Sequence, residues 1–353
     1  KDVTVQQVQQ RHRFFRLINE AIQRMELDLR GLTVLTEAAS ASFICTSLLA
    51  ARAGANVVAV TQSSRYGSSK DVITYGCDIS KAFGLSSAIH FTDDSPLKFV
   101  KKADLVTNLG FVRPINEEFV ALMPQHAVIS LMWAPWEVRE EDIAFNACKD
   151  REIPVIGTNE HHEFLQTFEY VGMTALKLLL ESGIEVFGSK VGLVGSDPFG
   201  SSIALRLQMC GAIVERFELP INHKIVEARL GELDAFVVAE HRNWTRVIGG
   251  NEGISAKLLK KHDISLIHIC GNIDTDSLNQ WRINKFPPQV VSKGYMTVTT
   301  SYVGPKPSVD LHCAGLRIGA DAVRCRIDGG TVEEAIICAE NSGLGLRLPG
   351  WIV

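Results

Sequence analysis

Six residues in mid-chain, Gly195, Ser196, Asp197, Pro198, Phe199 and Gly200, link an apolar run, KVGLV, to a helix-like run, SSIALRLQM, and a second apolar run follows and ends at Glu218. Strand, glycine turn, helix and strand in that order make up a dinucleotide-binding unit. In such a turn the first glycine allows the tight bend, the second lets backbone amides approach a pyrophosphate, and the third lets the helix lie close against the strand. Gly195 and Gly200 stand in the outer two positions. Asp197 takes the middle one, where a side chain crowds the pyrophosphate and a carboxylate repels it. Glu218 is placed to accept the ribose hydroxyls, which favours NAD over NADP, whereas Arg216 favours the reverse. Asn272 and Asp274 follow the later apolar run ISLIHIC, where they either touch the nicotinamide ribose or cap the next helix. The expected cofactor, NAD or NADP, is therefore held by Gly195, Ser196, Asp197, Phe199, Gly200, Glu218, Asn272 and Asp274.

Ligands of doubly wound folds lie at the carboxyl ends of the strands, so polar residues just after each apolar run are further candidates. They are Thr36, Glu37 and Ser40, then Ser63, Arg65 and Tyr66, then Asn108, and then Trp133. Each also suits a cap or a turn. Arg65 is expected either to meet a substrate anion or to lie in solvent. Glu160, His161, His162 and Glu163 form an acidic histidine cluster, but neighbouring helical residues point about 100 degrees apart, so no metal site is expected. His161 remains a substrate-side candidate, and His241, ending DAFVVAEH, is a candidate for proton transfer or for a backbone bond. No GxSxG elbow and no GxxxxGK loop occurs, which removes support for nucleophilic serine chemistry and for phosphoryl transfer.

These residues need scaffolds to hold them. At 353 residues with 46% hydrophobic composition, the chain is long enough for two cores, and two domains are expected. A net charge of -4 without basic runs argues against nucleic acid. No apolar run approaches the ~20 residues that span a bilayer, and the opening KDVTVQQVQQ is polar, so a cytoplasmic, membrane-free protein is expected. Eight scattered cysteines without a CxxC pair predict free, mostly buried thiols.

Apolar spacing predicts an amphipathic helix within residues 1–30, suited to packing on a partner copy of the chain. LTVLTE, NVVAVTQ, SSAIHF, ADLVTNLG, HAVISLM and IPVIGTN then read as short strands alternating with helices, a parallel sheet covered on both faces. EFLQTFEYVGMTALKLLLESG reads as a long helix before the glycine turn, and DAFVVAEH, ISLIHIC and YMTVTTSYV as later strands. The sequence thus predicts an α/β protein of two doubly wound parallel-sheet domains. A discontinuous, flavodoxin-like substrate domain covers 31–160 and 310–353, and a Rossmann-type domain covers 161–309, with a cleft between them.

From about residue 31 to 330 the chain resembles the D-isomer-specific 2-hydroxyacid dehydrogenases, the formate and glycerate dehydrogenase group. The resemblance lies in the order of ADLVTNLG, NEEFVALMPQHAVISLM, TFEYVGMTALKLLLES, the glycine turn and SVDLHCAGLRIGADAVRCR. It implies a homodimer, and it implies that His312, followed by Cys313, Ala314 and Gly315, moves the proton. Where the family's substrate arginine would stand, this chain has Gly271, Asn272, Ile273 and Asp274, and QWRINKFPPQVVSKGYM offers no clear carboxylate for the family's acid. The implied substrate is therefore not a standard 2-keto acid but another carbonyl, alcohol, imine or amine. The two-domain plan also resembles that of S-adenosylhomocysteine hydrolase, in which a tightly held NAD serves a hydrolytic or lyase cycle. A third expectation is a non-redox protein that has lost the dinucleotide.

Overall fold

The computed structural model describes residues 5–291 and 295–350. The chain divides into two units, Lys1–Leu165 with Pro305–Val353, and Gln166–Gly304.

In the first unit, α1 (Arg11–Arg24) carries Phe14, Leu17, Ile18 and Ala21 on one face. This spacing of three and four residues makes one apolar stripe. The stripe is buried against α2 (Cys45–Arg52) and α11 (Lys306–Ile327) of the same unit, so the face expected to meet a partner copy is used internally. The other elements in chain order are β1 (Thr33–Glu37), β2 (Asn56–Val60), α3 (Ser69–Ala82), β3 (Ile89–Thr92), β4 (Leu105–Thr107), α4 (Glu117–Leu122), β5 (Val128–Ser130), α5 (Phe145–Asp150) and β6 (Val155–Thr158). After the excursion through the second unit, α12 (Val332–Glu340) and β12 (Gly345–Arg347) return to this sheet.

The strand order is β12-β6-β5-β4-β1-β2-β3, parallel throughout except β12, which runs antiparallel to β6. Six parallel strands in the order 3-2-1-4-5-6 are the arrangement of a full dinucleotide fold, not the 2-1-3-4-5 order of the flavodoxin-like sheet expected for this segment. Strands β4, β5 and β6 are buried at every residue, as strands covered on both faces must be.

The second unit contains α6 (Thr167–Glu181), β7 (Lys190–Val194), α7 (Phe199–Met209), β8 (Ile213–Arg216), α8 (His223–Leu230), β9 (Ala235–Ala239), α9 (Ala256–Lys261), β10 (Ser265–Cys270), α10 (Thr275–Gln280) and β11 (Lys285–Phe286). Its five strands are parallel in the order β8-β7-β9-β10-β11. Alternate residues feed two cores. Leu193 and Val237 pack with Leu178 and Ile203 of α6 and α7, and Val194 and Phe236 pack with Leu230 and Leu259 of α8 and α9. Helices on both faces make this sheet doubly wound.

One local expectation fails for a physical reason. YMTVTTSYV is not a strand in its described part: Thr297 makes one backbone bond to Ile269 (2.8 Å) and Thr300–Tyr302 closes into a 3-10 turn, while β11 forms the sheet edge. The helix before β6 is short, α5, because the backbone of Asp142 and Ala144 pairs with Ile115 instead. α11 opens within GPKP, with Pro307 in its first turn, where a missing amide costs nothing. All eight cysteines are free and four are buried. No described helix is long and apolar enough to cross a membrane.

Phe14 is fully enclosed. Phe14→Ala is expected to lower the unfolding free energy of this unit by about 3–5 kcal/mol, read from urea unfolding by circular dichroism. A loss below about 1 kcal/mol would show that α1 is not docked on its own unit.

Candidate functional site

Both sheets reverse their strand order once, and each reversal leaves a crevice at the carboxyl ends of the flanking strands. In the second unit the reversal lies between β7 and β9. Gly195 ends the turn's first leg so close to β9 that an added Cβ would sit 2.8 Å from the Ala239 carbonyl oxygen. At Gly200 it would sit 2.1 Å from the Gly195 carbonyl oxygen. Both positions are closed to any side chain, as the outer glycines of a dinucleotide turn are.

The middle of the turn is different. Asp197 Oδ1 accepts the Ser201 amide at 2.9 Å, capping the first turn of α7. It also accepts Arg216 Nη2 at 2.9 Å, and the same nitrogen reaches the Gly195 carbonyl at 3.0 Å. Burial pushes the Asp197 carboxyl up, but the Ser201 amide and the Arg216 guanidinium outweigh it and leave it below the usual carboxylate range. The chain thus sets its own anion on the helix end where a pyrophosphate would lie.

Across the reversal, Ser196 Oγ donates to both carboxylate oxygens of Glu240 at 2.8 Å. Glu240 Oε1 also accepts the Arg242 and Asn243 amides at 2.8 and 2.9 Å. The His241 ring stacks on Phe199 with centroids 4.2 Å apart, and burial lowers its pKa, so it is neutral near pH 7. The structure therefore brings Gly195, Ser196, Asp197, Phe199, Gly200 and His241 together. Glu218 lies two residues past the end of β8, exposed and not on the strand as expected. Asn272 donates to the Trp244 carbonyl (2.9 Å) and Asp274 caps α10 through the Asp276 and Ser277 amides, so their side chains hold local backbone.

In the first unit the reversal lies between β1 and β4. Glu37, the last residue of β1, accepts the Phe111 amide at 3.1 Å. Burial pushes its carboxyl up, opposed by the Phe111 and Gly110 amides and by the Arg113 charge. Thr36 and Thr107 share a hydroxyl bond of 2.9 Å, and Asn108 Oδ1 accepts the Met132 amide at 2.8 Å. Trp133 lies under the Arg113 guanidinium, 5.6 Å from its carbon to the ring centroid. Ser40 starts the 3-10 turn before α2. Arg65 and Tyr66 pair with each other in an exposed loop, 2.6 Å from Nη2 to the hydroxyl. His161 is exposed after β6, its amide on Asn159. His312 is enclosed between α11 and α2, its Nδ1 2.5 Å from Thr46 Oγ1, and burial pushes its pKa down to about 4.

Sequence reasoning missed Glu240, Arg113 and Glu137, and read Glu160 only as a member of the histidine cluster. The Ala134 amide reaches Glu160 Oε1 at 3.2 Å. Burial nonetheless pushes the Glu160 carboxyl up to about 7, and burial together with the charge of Glu160 pushes Glu137 up as well. Among the described residues no cluster of histidine, cysteine and carboxylate groups has the makings of a metal site.

No family model matches the chain, and no curated protein matches it by sequence. Among solved structures, a dipicolinate synthase chain from Bacillus subtilis aligns over 85% of this chain and 99% of its own, at 11% identity and a TM-score of 0.52. Its counterpart in the dipicolinate synthase of Bacillus halodurans aligns over 81% of this chain and 96% of its own, at 11% identity and a TM-score of 0.51. What these likenesses establish is a shared α/β fold.

The raised carboxyl of Glu160 has a definite sign. A carboxyl that holds its proton more tightly when folded stabilises the fold at low pH, and this stability is lost as pH rises from about 4.5 to about 7. Glu160→Gln is expected to melt at a higher temperature than wild type at pH 8, with about 1–3 kcal/mol gained, and equally at pH 4.5. A pH-independent difference in calorimetric melting would refute the shift.

Proposed function

We propose that this chain is a divergent NAD(P)-dependent oxidoreductase that passes hydride between a nicotinamide and a small polar metabolite other than a standard 2-keto acid. The observation that carries the reading is the packing at Gly195 and Gly200, where 2.8 and 2.1 Å approaches exclude any side chain at the two positions that a dinucleotide turn reserves for glycine. In this reading Gly195, Ser196, Phe199 and Gly200 would hold the cofactor, which when bound would supply a hydride donor or acceptor. The reading gives the proton step to His241, whose neutral ring beside the turn suits a base. The local duties of Asn272 and Asp274, with Arg246 Nη1 3.9 Å from the Asp274 carboxylate, support a substrate without the 2-keto acid's carboxylate at that loop.

Asp197 is the one misfit, and it favours a second reading: a protein on the same fold that has exchanged the pyrophosphate for its own carboxylate. One experiment separates the two. Calorimetric titration with NADH and with NADPH is expected to show binding near the micromolar range for wild type, tightened by about tenfold in Asp197→Gly, which frees the α7 end for phosphate. Absence of binding in both proteins, with their melting intact, would remove the redox reading and leave the second.

A further inference from the structure

In the first unit α11 and α12 pack against each other, and residues of both line an open cavity of about 760 Å³. Among these residues are Cys325, near the end of α11, and Glu334 and Cys338 on α12. Residues four apart share a helix face, so Glu334 and Cys338 look toward the same neighbour. That neighbour is Cys325, whose thiol hydrogen-bonds the Cys338 sulfur and feels the charge of Glu334. Gly330 backs the Cys325 sulfur so closely that an added Cβ would stand 2.5 Å from it. Both thiols are free, and both are partly open to solvent.

Two sulfurs in contact at a solvent-filled surface form a two-electron donor, because the thiolate of one attacks and the thiol of the other resolves. Burial, the Cys338 sulfur and the Glu334 charge push the Cys325 thiol up to about 11. Cys325 therefore keeps its proton near neutral pH and offers it to its neighbour, and a thiolate that accepts such a bond is stabilised. The first sulfur to attack is then Cys338. Cys45, Cys148, Cys270 and Cys313 are buried, out of reach of a dissolved oxidant, whereas Cys77 is exposed and serves as an internal reference.

We propose that Cys325 and Cys338 are a modification site, a dithiol that a hydroperoxide converts reversibly into a disulfide joining α11 to α12. In the first step the Cys338 thiolate attacks a peroxide oxygen. An S–O bond forms as the O–O bond breaks, the leaving hydroxide takes a proton from solvent, and Cys338 becomes a sulfenic acid. In the second step the Cys325 sulfur attacks the Cys338 sulfur. The S–S bond forms as the S–O bond breaks, and hydroxide leaves as water with the Cys325 proton. Two electrons pass from the two sulfurs to the peroxide, so two thiols and one hydrogen peroxide give one disulfide and two waters. The inference concerns one unit and holds whether or not the other unit takes nicotinamide.

The test is treatment of the fully reduced, folded chain with hydrogen peroxide, followed by alkylation of the remaining thiols and unreduced peptide mapping by mass spectrometry. The expected product is an intramolecular link between Cys325 and Cys338, formed at least about tenfold faster than Cys77 is oxidised and undone by dithiothreitol. In Cys325→Ser the sulfenic acid on Cys338 loses its resolving partner and should be trapped by dimedone, whereas Cys338→Ser should give at least about tenfold less trapping at Cys325. Should either variant fail to fold, the wild-type map decides alone. Oxidation of Cys77 as fast as the pair, a disulfide to another cysteine, or conversion of the two thiols to sulfonic acids without a link between them would overturn the proposal.

Discussion

A parallel sheet that reverses its winding opens a crevice at the carboxyl ends of the two strands flanking the reversal, and in both units of this chain a buried glutamate spans it. Glu37 reaches from β1 to the loop after β4, and Glu240 reaches from the end of β9 to the turn after β7. Burying a carboxylate is costly unless donors surround it. The loops at both crevices are shaped to supply them. The Phe111 amide turns to Glu37, and the amides of Arg242 and Asn243 with the hydroxyl of Ser196 turn to Glu240. Much of the local backbone geometry at the two crevices follows from satisfying these charges.

The consequence for ligands is electrostatic. Donors already turned toward an internal carboxylate are not free for an incoming anion, and the carboxylate itself repels one. At the glycine turn this is compounded by Asp197, which fills the helix end that would otherwise attract phosphate. Arg216 neutralises that carboxylate and ties it to the Gly195 carbonyl, so the turn is held as a closed network. In the first unit Arg113 restores a positive partner beside Glu37.

The strand and helix alternation was legible because buried parallel strands are short apolar runs, and LTVLTE, NVVAV and AFVVA could be read as little else. The order of those strands was not legible, since one run of βα repeats serves 3-2-1-4-5-6 and 2-1-3-4-5 alike. β12 escaped notice because it is three residues long and follows a helix. At the site, a rule that looks just past each strand finds Glu37, Asn108, Ser196 and His241. It misses Arg113, six residues past β4, whose position is set by Asp142 from a distant loop. Arg65 answers the same rule yet spends its guanidinium on its neighbour Tyr66. Glu240 was overlooked beside His241, because a strand-end glutamate looks solvated until its donors are seen.

The central claim is that the carboxylate of Asp197 holds the place that a dinucleotide phosphate must take. The most direct measurement is the amide spectrum of nitrogen-15 labelled protein during titration with NADH, following the Ser201 resonance. The account predicts that Ser201, which donates to Asp197, shifts in step with saturation as phosphate replaces the carboxylate. A Ser201 amide that stays in place while other resonances show NADH saturating the protein would contradict it.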